Sequence, residues 1–141
     1  MRYLGFDLGT RTLGISISDD TKTIASTLTT LRFNDFDYES IFDEIKKIVE
    51  DEKIEKIILG LPKNMNNTLG FRAEETINFK EKLEKFLNIE IVLQDERLTT
   101  VSAHNYLIEA DMSRKKRKNV VDKLSANIIL QTYLDIEKGR K

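Results

Sequence analysis

The chain has no cysteine and no tryptophan, one proline and one histidine in 141 residues. Without cysteine there are no disulfides and no thiolate metal sites. A single histidine, His104, cannot furnish the nitrogen ligands of a zinc centre. Any bound metal must then be held mainly by carboxylates, and hard oxygen ligands select Mg²⁺ or Mn²⁺. No apolar run reaches the roughly 18 residues a membrane helix needs. Asp7 falls where a signal peptide would stay apolar, so no membrane association and a cytoplasmic location are expected. An excess of one charge is also missing. There are 23 lysines and arginines against 24 acids, a net charge of −1, so a polyanionic partner would have to be met by cations gathered on one face. Aromatics are 8% of residues and form no stripe. Any nucleic acid would be recognised by shape or structure rather than by base stacking.

Hydrophobic residues are 40% of the chain and charged residues 33%, a balance that supports a folded core, and the length fits one domain over 1–141. No repeat, low-complexity segment or linker divides it. Residues 2–8 are compact and apolar. Residues 12–19 alternate, with Leu13, Ile15 and Ile17 against Gly14, Ser16 and Ser18, and threonine-rich 23–33 carries Ile24, Leu28 and Leu31. These predict three strands joined by junctions short enough for hairpins. Ile41, Phe42, Ile45, Ile48 and Val49 predict a helix over 38–52 with Asp37 as its N-cap. The run 56–61 reads as a central parallel strand closed by Pro62. A loop with Asn64, Asn66 and Asn67 leads to a helix near 70–87. A strand at 89–93 and helices near 99–111 and 119–138 complete the pattern. Right-handed crossovers then give an α/β, ribonuclease-H-like fold: a five-stranded mixed sheet of order 3-2-1-4-5 with helices on both faces. Its active site is expected beyond the carboxyl ends of the parallel strands.

Three acids meet that expectation. Asp7 lies within the first strand between Phe6 and Leu8, Glu96 follows the strand 89–93, and Asp122 is expected in the first turn of the last helix, ahead of the small residues Ser125 and Ala126. Carboxylates from three elements would form an oxygen-rich pocket for one or two Mg²⁺ or Mn²⁺ ions, the arrangement that clamps attacking and leaving oxygens in phosphodiester hydrolysis. Each has a plainer reading. Asp7 could bind the backbone amides of the Gly9-Thr10 turn, Glu96 could pair with Arg97 or cap a helix at Thr99 or Thr100, and Asp122 could answer the helix dipole. The joint placement favours the metal.

Arg114, Lys115, Lys116, Arg117 and Lys118 are five cations in succession directly before the helix of Asp122. Such a run is ordinarily a solvated loop, but beside a metal site it suits phosphate binding with strong salt dependence. Arg11, at a turn, and Arg72, at a helix start, are further candidate phosphate contacts. His104 reads as an ordinary residue of an amphipathic helix.

Gly5-Phe6-Asp7-Leu8-Gly9-Thr10-Arg11-Thr12-Leu13-Gly14 resembles the opening motif of the YqgF (RuvX-type) family. Gly60-Leu61-Pro62 through Thr68, Gly70 and Arg72-Ala73-Glu74 is similar to its central loop and helix. Asp95-Glu96-Arg97-Leu98-Thr99-Thr100 with Ala103, the basic run 114–118, and Val121-Asp122-Lys123-Leu124-Ser125-Ala126 resemble the rest. The resemblance spans essentially the whole chain. It implies a ribonuclease-H-like fold, Asp7, Glu96 and Asp122 as an acidic triad, and a nuclease trimming the 5′ end of 16S ribosomal RNA precursor; Arg97, next to Glu96, is a further candidate nucleic-acid contact. An alternative drawn from the same fold is cleavage of branched DNA at Holliday junctions. RuvC-type resolvases carry an acid at the end of the fourth strand, where this chain has Gly60-Leu61-Pro62, so Glu96 must serve instead. A second basic residue is common after the first in the opening motif, and here Thr12 follows Arg11. Two other classes compete: a non-catalytic RNA- or ribosome-binding factor, and an ATPase module, since Asp7-Leu8-Gly9-Thr10 resembles the first phosphate loop of actin-like ATPases. Nothing in the sequence specifies an oligomeric state.

Overall fold

The computed structural model describes residues 1–35, 37–61, 70–95 and 114–139, without the side chains of Phe71, Asp95 and 114–124. Strands β1 (Arg2–Leu8), β2 (Thr12–Ser18) and β3 (Ala25–Arg32) come first. A 3-10 turn (Tyr38–Ile41) then leads into α1 (Phe42–Asp51). β4 (Ile54–Leu61), α2 (Phe71–Leu87), β5 (Glu90–Asp95) and α3 (Arg114–Glu137) follow. The sheet order is β3-β2-β1-β4-β5, as expected. β1 and β2 pair antiparallel, as do β2 and β3, while β4 lies parallel to both β1 and β5.

Period-2 alternation sends side chains of each strand to opposite faces, and each face has its own core. Leu4, Phe6 and Leu8 of β1 join Leu13, Ile15, Ile57 and Leu59 beneath α1 and α2. Phe79 of α2 sits there edge-on to Tyr38 and Phe42, with ring centroids 5.3 and 5.8 Å away. On the other face Tyr3, Ala25 and Ile58 pack against Ile129, Leu130 and Leu134 of α3. The side chain of Gln131 ties that helix to the start of β3, accepting from Ala25 N–H and donating to the Thr23 carbonyl, both at 2.9 Å. Asn88, at φ 55°, ends α2 in the left-handed region, where asparagine is tolerated.

Four local expectations change. Asp37 stands before the 3-10 turn, but its side chain makes no capping bond. Its carbonyl receives the Ser40 amide and hydroxyl instead. Ile24 is 60% exposed and precedes β3, and Leu28 is 37% exposed. β3 is an edge strand with a bulge at Leu28, because Ile15 pairs with Thr29 and Ser16 with Thr27. The last helix begins at Arg114 rather than 119, so the basic run is helical instead of a preceding loop, and Asp122 lies in the third turn rather than the first. The asparagine loop and the helix expected near 99–111, including His104, fall outside the described residues.

Candidate active site

β1 carries two kinds of residue. Tyr3, Gly5 and Asp7 face α3, and the last two positions leave little side-chain bulk between sheet and helix. A Cβ on Gly5 would lie 2.6 Å from Leu130 Cβ and 2.9 Å from the Ala126 carbonyl oxygen, so only glycine lets α3 settle there. Ser16 completes the contact by donating its hydroxyl to that carbonyl at 2.7 Å. Being fully buried, Ser16 would otherwise hold an unsatisfied hydroxyl.

The helix runs antiparallel to β1, and the contacts record its register. Tyr3 meets Tyr133 edge-on at 6.1 Å and donates to Glu137 at 3.2 Å. Gly5 faces Leu130 and Ala126. Gly14, the cross-strand partner of Asp7, faces Ala126, with 3.6 Å between a Cβ there and the alanine methyl. Asp122 stands one turn before Ala126 on the same helix, about 6 Å further along the axis.

Asp7 itself lines a cleft of about 410 Å³ with Thr12, Gly14, Thr27, Thr30, Ala126 and Asn127. Its carboxylate is half-buried and makes no hydrogen bond or ion pair with any described residue. The turn that follows does not use it: Gly9 N–H donates to the Thr12 carbonyl at 2.7 Å. A carboxylate removed from water without a protein partner is costly unless a cation meets it. The donors around it are carboxylate, hydroxyl and amide oxygens, a set that suits Mg²⁺ or Mn²⁺ and not zinc. Among the described residues no cluster of three acids or histidines surrounds a common point. Glu96 and Arg97 lie outside the described residues. The strand leading to Glu96 ends level with β1, because Asp95 pairs with Leu61 and Leu59 with Phe6.

The expected cations have different fates. Arg11 forms a two-point ion pair with Asp35, Nε to Oδ1 at 2.5 Å and Nη2 to Oδ2 at 3.3 Å. Hydrogen bonding within this pair raises the Arg11 pKa and lowers that of Asp35. Arg72 donates from Nη2 to the Leu8 carbonyl at 2.9 Å, joining the start of α2 to the end of the strand bearing Asp7. Arg114, Lys115, Lys116, Arg117 and Lys118 form the opening turns of α3, their side chains outside the described residues. Sequence reasoning missed the hydroxyls of Thr12, Thr27 and Thr30 and the amide of Asn127. The threonines looked like strand formers, and only the bulge in β3 turns Thr27 and Thr30 to one face.

Residues 1–136 match the model of a family described as RuvX, Holliday junction resolvase. A protein of Caldanaerobacter subterraneus subsp. tengcongensis is 51% identical over 140 residues, 99% of each chain, and its name proposes it as a pre-16S rRNA nuclease. One from Staphylococcus epidermidis, 48% identical over 135 residues and 95% of each chain, carries the same name. RuvC of T. thermophilus, solved in complex with a Holliday junction substrate, superposes with a TM-score of 0.60 at 12% identity, covering 99% of this chain and 96% of that one. That likeness shows a shared fold. The family description names a DNA junction and the relatives' names an RNA precursor.

Proposed function

This chain belongs to the RuvX family, and we propose that it is a metal-dependent nuclease that processes the 5′ end of 16S ribosomal RNA precursor. The observation that carries this reading is the half-buried Asp7 on the wall of a cleft lined by threonine hydroxyls, its carboxylate without a partner among the described residues. Asp7, Glu96 and Asp122 would hold the cation. The register of α3 supports bringing Asp122 toward Asp7, since each turn of the helix matches about two residues of β1 in reverse order. β5, the strand that leads to Glu96, lies two strand positions and about 10 Å from β1 and ends level with it, which supports the same for Glu96. A bound Mg²⁺ or Mn²⁺ would supply Lewis-acid stabilisation of the charge that develops on the phosphate.

The chain's own groups do the rest. Asp7 fixes the cation's position through a central strand paired on both sides, the most rigid part of the sheet. Arg72 holds the end of that strand by its bond to Leu8. The cations of 114–118 draw the polyanion in, and Arg97 adds charge next to Glu96. RNA is the favoured substrate because the relatives of about half identity are named for it, and the ribosome or its precursor particle is the partner.

Purified protein incubated with a precursor ribosomal RNA fragment and with a four-way DNA junction, each with Mg²⁺, Mn²⁺ or chelator, tests the assignment. Metal-dependent cleavage of the RNA is the expected result. Cleavage of the junction alone would transfer the assignment to junction resolution. Binding of RNA without cleavage in either metal would make the chain a non-catalytic RNA-binding factor.

A further inference from the structure

The cleft beside Asp7 does not end at the acid. Its floor continues across β2 to the outer strand β3, bounded on the other side by α3 at Ala126 and Asn127. The bulge at Leu28 decides what this floor presents. Gly14 pairs with Thr30 and Ser16 with Thr27, so two residues of β2 oppose a three-residue step of β3, and both threonines share the face of Asp7. Thr12, two residues before Gly14, adds a third hydroxyl to that face. Directly across from Thr12 stands Arg32. Cross-strand partners project to one face, so its side chain leaves β3 on the Asp7 side. Arg32 is exposed and makes no ion pair or hydrogen bond with any described residue, whereas Arg11 is neutralised by Asp35.

We propose that this floor is a track for the sugar–phosphate backbone of one polynucleotide strand, with Arg32 binding a phosphate and Thr12, Thr27 and Thr30 contacting the backbone that leads to Asp7. Hydroxyls both donate and accept, which suits phosphate oxygens and ribose 2′-hydroxyls alike. Among the described lining residues there is no aromatic ring to stack on a base, which suits a backbone contact. From β3 to β1 the track runs about 10 Å. The inference rests on the nuclease reading only for the direction of the track toward Asp7.

The test is fluorescence anisotropy of a labelled single-stranded RNA in chelator, so that binding is read without cleavage. Arg32→Gln is expected to raise Kd about tenfold, as loss of one charge-assisted contact does. It should also reduce the slope of log affinity against log salt by about 0.7, one phosphate of a single strand. Thr27→Val with Thr30→Val, which keeps β-branching and strand preference, should raise Kd about fivefold, a loss of the size that two ordinary hydrogen bonds can cause. Lys47→Gln makes the same charge change on exposed α1, on the opposite face, and should leave Kd within about twofold. Unchanged Kd and slope in the Arg32 and threonine variants would overturn the track, as would an equal loss in Lys47→Gln or no binding by the unaltered chain. Absence of metal-dependent cleavage in the unaltered chain would instead overturn the nuclease reading, while the binding results still decide the track.

Discussion

At the scale of single residues, several groups have surroundings that give them one use. Gly5 sits where any side chain would meet Leu130 and the Ala126 carbonyl. Gly5→Ala should therefore lower stability by about 1–3 kcal/mol through overpacking, seen as a lower denaturant midpoint at unchanged slope. A second case is titratable. The Asp19 carboxylate accepts from the Thr21 hydroxyl at 2.6 Å and the amides of Thr23 and Ile24 at 2.8 and 3.1 Å. Those bonds, led by the Thr21 hydroxyl, lower its pKa from 3.8 to about 2. The folded chain thus releases this proton more readily than the unfolded one. Its contribution to stability is fully present above about pH 4 and lost as pH falls toward about 2. Acid unfolding of Asp19→Asn beside the unaltered chain checks this: the stability gap should be constant near neutral pH and close between about pH 4 and 2. A gap that persists undiminished at pH 2 would remove the charge from the explanation.

At the element scale, much was legible in the sequence. The alternation of Leu13, Ile15 and Ile17 gave a strand because one face of β2 is buried under α1 and α2 while the other carries Gly14, Ser16 and Ser18 toward α3. The continuous run 56–61 gave a central strand because both faces of β4 are covered. Less legible was β3. The strand read over 23–33 is shorter, Ala25–Arg32, and as an edge strand it is covered only in part, so Ile24 and Leu28 stay exposed. The bulge that aligns Thr27 with Thr30 leaves no mark in composition. The start of α3 was also misplaced, because a run of five cations opposes the positive end of the helix dipole and reads locally as a loop. At the site, Asp7 was legible from the cost of burying an acid within a central strand. The engagement of Arg11 by Asp35, 24 residues away, was not, since it depends on how the end of β3 passes the β1–β2 turn. The same limit hid Arg32, which reaches the Asp7 face only through its pairing with Thr12.

At the scale of the whole molecule, a nearly neutral chain handles a polyanion by separating its charges. Asp7 lies near the carboxyl end of β1, on the face covered by α3. The basic turns of α3 lead into the same helix as Asp122, and Arg32 stands on β3 across from Thr12. Two helices on one face and α3 on the other hold β1 between two cores, which makes the strand bearing Asp7 rigid. No helix among the described residues is long and apolar enough to cross a membrane. The proposed chemistry depends first on Asp7 binding the catalytic cation. The measurement that tests it most directly is Mg²⁺ or Mn²⁺ titration by calorimetry, run with RNA cleavage, on the unaltered chain and Asp7→Asn. The substitution removes a charge with no partner among the described residues and keeps its shape, so thermal stability without metal should be unchanged or slightly higher. Metal affinity and cleavage should both fall, cleavage by at least about a hundredfold, beyond what loss of a supporting residue around a metal costs. Cleavage and metal binding by Asp7→Asn at the level of the unaltered chain would contradict the account.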